Sequence, residues 1–126
     1  MGSRILVIED NPANMELMTY LLTAFGHTPI AARDGEAGVA AALRHIPDLI
    51  LCDLALPGLD GYGVARRLKT EETMRGVPLI AVTASAMVGD RDKVIASGFD
   101  GYITKPITPE TFVAEVETYL KRPVDK

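Results

Sequence analysis

Short apolar stretches, far apart in a chain of 126 residues, end in polar groups of complementary kinds: Glu9-Asp10, Asp53, Thr83, and Lys105 followed by Pro106. Gathered in one cleft, the three carboxylates repel one another, each pair at ~4 Å costing about 4 kcal/mol at an effective dielectric of 20. Such a cluster requires positive charge. Oxygen donors of this kind suit Mg²⁺, which keeps several waters and needs only one or two direct carboxylates plus a phosphate. Lys105 supplies a second positive charge. Thr83 supplies a hydroxyl on the side where an anion attached to one carboxylate would lie. The set is therefore suited to holding a phosphoryl group. Asp53, at the cleft centre, is the expected nucleophile, with the metal offsetting charge on the transferring group.

Singly, each residue has a plainer role. Glu9-Asp10 precede Asn11-Pro12 and suit the N-terminal dipole of a following helix. Asp53 stands before Leu54-Ala55-Leu56-Pro57-Gly58 and suits a strand-end turn. Lys105 reads as a solvated lysine and Thr83 as a β-branched strand residue. Those roles do not explain why complementary groups close the four runs that one topology would bring to a single edge.

The elements that must position them follow from hydrophobic patterning. Runs rich in Ile, Leu and Val occupy Arg4–Ile8, Thr28–Ala32, Asp48–Cys52, Val77–Val82 and Gly101–Ile103, each followed by a helix-length segment. This alternation predicts an α/β fold, a doubly wound five-stranded parallel sheet. Ile-Leu-Val-Ile and Leu-Ile-Leu-Cys lack polar alternation, as strands covered on both faces should. The second and fifth runs are weaker and belong at the edges. Strand order 2-1-3-4-5 then places Glu9, Asp10 and Asp53 at the switch between strands 1 and 3, with Thr83 and Lys105 adjoining.

Helices are signalled by caps and spacing. Asn11-Pro12 opens the first, whose expected inward face carries Met15, Met18, Leu22 and Phe25 before Gly26. Val39, Leu43 and Ile46 mark the second, and Asp60 caps a third with Val64 and Leu68 inward. The fourth, between Ala86 and Ser97, has the poorest pattern and is expected to be the least stable. Thr108-Pro109 opens the last, with Phe112, Val116, Tyr119 and Leu120. The glycine-rich stretch 58–63 has the wrong spacing for a dinucleotide fingerprint and reads as a loop. Cys52 reads as an inert core thiol, and His27 and His45 as surface residues, with no partner at metal-ligand spacing.

Composition bounds the rest. With 13 Lys+Arg against 17 Asp+Glu, a net charge of −4 argues against broad nucleic-acid or anionic-membrane binding. A single cysteine fits a reducing compartment, no apolar run reaches the ~18 residues of a membrane span, and the start lacks a signal-peptide stretch. A cytoplasmic single domain over residues 4–122 is expected.

On Glu9-Asp10-Asn11, Asp53 with Pro57-Gly58, Thr83-Ala84, Tyr102 and Lys105-Pro106, the chain resembles a two-component response-regulator receiver domain of CheY-like, flavodoxin-like fold along nearly its whole length. It looks most like the single-domain receivers of cell-cycle phosphorelays, or receivers of hybrid sensor kinases. The resemblance implies that Asp53 accepts a phosphoryl group from a phosphohistidine on a histidine kinase or histidine phosphotransferase. It implies Mg²⁺ on Asp10, Asp53 and the carbonyl of Ala55, with Glu9 acting through water, and phosphoryl oxygens on Thr83 and Lys105. It further implies a cis Lys105–Pro106 bond and inward rotation of Tyr102. That rotation would alter the face of the fourth helix, fifth strand and fifth helix toward a downstream effector. Ala55, Leu56 and Ser85 depart from residues common in the family and bear on phosphoryl lifetime.

Two rivals fit less well. A Mg²⁺-dependent aspartyl phosphatase of the haloacid-dehalogenase kind needs a second acid where Ala55 stands. A flavodoxin-like carrier would have its flavin phosphate repelled by Glu9-Asp10. The expectation is a stand-alone phospho-accepting switch, not a turnover enzyme, acting without direct contact to nucleic acid or membrane.

Overall fold

The computed structural model describes residues 2–84 and 88–120. Five parallel strands, β1 (Arg4–Ile8), β2 (Thr28–Ala32), β3 (Leu49–Asp53), β4 (Leu79–Thr83) and β5 (Gly101–Thr104), form one sheet in the order β2-β1-β3-β4-β5. The two weaker runs are its edges. Between and after them lie α1 (Pro12–Ala24), α2 (Gly35–His45), α3 (Gly61–Lys69), α4 (Val88–Ala96) and α5 (Phe112–Leu120), with a short 3-10 turn at Glu72–Met74.

Strand side chains alternate between two apolar layers, because successive Cβ atoms point to opposite faces. Ile5, Val7, Leu49, Leu51, Ile80 and Val82 pack with Met15, Met18 and Leu22 of α1 and Phe112, Val113 and Val116 of α5. Leu6, Ile8, Ile50, Cys52, Leu79 and Ala81 pack with Val39, Ala42, Val64, Leu68 and Val94. Each fully buried Leu, Ile or Val contributes roughly 1.5–3 kcal/mol. Sheet and helices together therefore hold the strand ends rigidly.

Several boundaries and faces differ from expectation. β3 and β4 each begin later and run one residue further, so Asp53 and Thr83 are strand residues and not the first residues after a strand. Phe25 caps α1 instead of continuing its inward face. There the helix unwinds (φ −101°, ψ 17°) and the ring is 62% exposed, with Leu21 joining the buried face. In α2 the inward residues are Val39 and Ala42, and Leu43 and Ile46 are exposed. The reason is close approach: a Cβ on Gly38 would stand 2.5 Å from Ile8 Cδ1. Small residues therefore face the sheet and Leu43 falls on the flank. Ile46 leaves the helix with a φ of +46°. The stretch 58–63 is only half a loop, since Gly61, Tyr62 and Gly63 form the first turn of α3.

His27 is the clearest correction. Instead of lying on the surface it is buried, its Nδ1 accepting from the Ser3 N–H at 3.0 Å and its Nε2 lying 2.8 Å from Glu117 Oε2 on α5. Two polar partners 24 and 90 residues away satisfy a ring that local sequence could not place. His45 is exposed, as expected. The expected start of the fourth helix at Ala86, the position of Ser85, and the end of the domain at residue 122 lie outside the described residues. Among α4 residues with described side chains, only Val94 is buried. Among the described residues no helix is long and apolar enough to cross a membrane.

Candidate functional site

The acidic pair sits where β1 turns into α1. Asn11 caps that helix, its side chain accepting from Asn14 N–H at 2.9 Å, and the first turn carries no acid. Glu9 precedes that cap and lies outside the first turn. It is 1% exposed, and its Oε2 accepts the Asn11 backbone N–H at 3.1 Å. Asp10 beside it is exposed.

Asp53 ends β3, and its Oδ1 accepts the Ala55 N–H at 3.1 Å. α3 comes down close to this strand end, with Gly61 N–H donating to Leu54 O at 3.0 Å. A Cβ on Gly61 would lie 2.5 Å from Asp53 O. Glycine there permits the approach. Thr83 ends β4 opposite Thr104 and is buried. Lys105 follows β5, its N–H donating to Thr83 O at 2.8 Å, and the Lys105–Pro106 bond is cis.

The Lys105 ammonium joins the strands. Its Nζ lies 3.2 Å from Asp53 Oδ2 and 3.1 Å from Glu9 Oε1. Burial pushes the Glu9 carboxyl above the usual range. The Asn11 N–H and Lys105 oppose that push, while the negative Asp53 adds to it. For Lys105 burial works downward, but the hydrogen bonds and charges of Glu9 and Asp53 outweigh it and hold the ammonium above its ordinary value.

One ligand oxygen each from Glu9, Asp10 and Asp53 lies within 4.8 Å of the others. Despite the nearby ammonium, Glu9 Oε1 is buried without a hydrogen bond among the described residues. Three carboxylates with one lysine leave negative charge uncompensated, and among the described residues Glu9 Oε1 is held by an ion pair alone. That donor set fits a hard divalent cation.

The structure thus brings together Glu9, Asp10, Asp53, Thr83 and Lys105 at the C-terminal edge of the sheet. Ala55 is exposed in the loop after Asp53, and Tyr102 is half-buried on β5, paired with Ala81. Sequence reasoning passed over Tyr62 and Asp90, which line a groove with Leu54, Ala55 and Thr83. The only signal for Tyr62 was its place between two glycines. Cys52 is buried as expected, its thiol donating to Asp53 O at 3.3 Å.

A family model described as the response regulator receiver domain matches residues 5–117. The chain belongs to this family. This receiver is 40% identical over 120 residues to the polar-differentiation response regulator DivK of Brucella ovis, covering 95% of this chain and 98% of that one. Its structure superposes on the receiver domain of the sensor histidine kinase PA1611 of Pseudomonas aeruginosa, crystallised with a magnesium ion coordinated in the active-site cleft. The TM-score is 0.84 at 36% identity, over 100% of both chains. The chemotaxis response regulator CheY4 of Vibrio cholerae, at 20% identity, shares the fold with a TM-score of 0.89 over 94% of this receiver and 98% of its own chain. The chain is thus a two-component receiver with the CheY-like sheet order.

Proposed function

We propose that this receiver, spanning residues 4–122, accepts a phosphoryl group on Asp53 from the phosphohistidine of a histidine kinase or histidine phosphotransferase. The observation that carries the reading is the Lys105 ammonium held between Glu9 and Asp53, three strands' ends converging on one atom. An Asp53 carboxylate oxygen attacks phosphorus, forming an O–P bond as the N–P bond breaks. The imidazole leaves with that electron pair and ends neutral, holding a proton on its other nitrogen. Asp10, Asp53 and the Ala55 carbonyl, with Glu9 nearby, would hold Mg²⁺, which when bound would supply positive charge to offset that of the phosphoryl oxygens. The magnesium recorded in the PA1611 receiver supports the metal's identity.

Lys105 and Thr83 bind the phosphoryl oxygens. The new anion draws Thr83 toward it, Tyr102 turns into the space vacated, and the face of α4, β5 and α5 changes toward a downstream effector protein. The product is a switched surface in the cytoplasm and not a released metabolite. The match to DivK over 98% of its length supports a stand-alone regulator. The similarity to the PA1611 receiver favours, as the second reading, a receiver belonging to a hybrid sensor kinase.

Labelling with radioactive acetyl phosphate tests the chemistry. Wild type with Mg²⁺ should label, and Asp53→Asn, or wild type in chelator, should not. Undiminished labelling of Asp53→Asn would reject the nucleophile, and labelling indifferent to chelator would reject the metal.

A further inference from the structure

α4 is weakly seated. Among its residues with described side chains Val94 alone is buried, and Ile95 is 47% exposed. Two of its cations, however, rest on aromatic rings of neighbouring elements. The Arg91 guanidinium lies 5.7 Å from the centroid of Tyr102 on β5. Lys93 Nζ lies 4.9 Å from the centroid of Tyr62 on α3. Tyr62 in turn meets the buried Phe99 edge-on, with centroids 6.5 Å apart and planes at 82°. Residues two apart on a helix project about 200° apart around its axis, so the two cations reach opposite flanks. One of the two rings is Tyr102, the ring assigned above to the response.

We infer that Arg91 and Lys93 are positioning residues of the switch: seated on Tyr102 and Tyr62, they hold α4 in its resting place and set how readily an anion on Asp53 shifts it. The inference rests on the reading of Asp53 as acceptor and Tyr102 as the responding ring. An exposed cation over an aromatic ring biases an equilibrium about two- to fivefold. For a ligand that binds the shifted state, the apparent Kd is the intrinsic Kd divided by the fraction of molecules already shifted, so a larger resting population weakens binding. Removing a strap therefore tightens apparent binding of a phosphoryl mimic.

Beryllofluoride with Mg²⁺, titrated into protein carrying 3-fluorotyrosine, measures this. The four tyrosine ¹⁹F signals are assigned by single Tyr→Phe variants. In wild type beryllofluoride should displace the Tyr102 signal. In Arg91→Met the half-saturating concentration should fall about two- to fivefold, in Arg91→Lys by less, and in Lys93→Met it should fall as well. Simple loss of positive charge near an anion site would raise that concentration, so the direction separates a strap from a field effect. Both residues are exposed, and a folded amide spectrum for each variant confirms that only the switch is altered. Half-saturation unchanged or raised in both Met variants, with wild type still responding at Tyr102, overturns the straps. A wild-type Tyr102 signal indifferent to beryllofluoride overturns the underlying reading as well.

Discussion

Lys105 Nζ stands 3.2 Å from Asp53 Oδ2, a contact between residues 52 positions apart. The same ammonium lies 3.1 Å from Glu9 Oε1, so one side chain offsets two carboxylates that are otherwise buried against each other. The lysine thus has a structural role whatever ligand the cleft takes. It keeps the cleft from bursting apart under its own charge.

Removing that cation should therefore cost stability as well as chemistry. In chelator at pH 8, Lys105→Met should lower the unfolding free energy by about 2–4 kcal/mol, since breaking one partner of a buried pair leaves the other charge exposed to a low dielectric. At pH 4 the difference should shrink as Glu9, whose carboxyl burial raises above the usual range, takes up its proton. Urea denaturation at the two pH values measures both. Equal destabilisation at each would show that the lysine contributes packing alone.

Glu9 gives the pH dependence its sign. Its carboxyl is raised in the folded protein, first by burial, so folding favours the protonated form. The associated stability is complete below the ordinary value of 4.5 and is lost as pH rises through the higher folded value. Metal-free protein should lose stability over that interval, and Glu9→Gln should flatten the loss while weakening Mg²⁺ binding about tenfold or more. Urea midpoints from pH 4 to 8 in chelator, with a parallel Mg²⁺ titration, decide it. A wild-type profile no steeper than that of Glu9→Gln would count against the assignment.

Gly61 sets the distance between α3 and the end of β3, where Asp53 stands. Adding one methyl 2.5 Å from Asp53 O forces backbone to move, so Gly61→Ala should destabilise by about 1–3 kcal/mol and slow acetyl phosphate labelling. Comparing its labelling rate with that of Gly58→Ala separates the local clash from a general loss of stability. Gly58, at φ +73°, has open space around it, so its replacement strains backbone without crowding Asp53.

Cys52, although next to Asp53, should be chemically silent. Burial is the main cause that raises its thiol, and the charge of Asp53 adds to it. A disulfide reagent such as Ellman's should react with the native protein at pH 8 only through unfolding, with a rate that climbs with urea. Fast labelling in buffer would mean that the β3 end opens more often than its packing allows.

The helices and strands were legible where their signals were local. Asn11-Pro12 and Asp60 declared helix starts because a cap needs one side chain and one turn of backbone. Unbroken Val, Ile and Leu runs declared buried strands, and the crossover rule turned them into a sheet with a usable edge. The misplaced faces of Phe25, Leu43 and Ile46 have a common cause. Each sits within one turn of a helix end or beside a close contact, where tertiary packing outweighs the 3.6-residue period.

From residue types alone came the identity of the acids, the hydroxyl and the lysine, and the expectation of a divalent ion and a phosphoryl group, because those depend on what each side chain is. Only the folded chain decided that Glu9 is buried, that Lys105 bridges its carboxylate and that of Asp53, and that His27 lies inside against Ser3 and Glu117. Those facts are distances between residues tens of positions apart. A linear pattern does not contain such distances until the sheet brings the strand ends together.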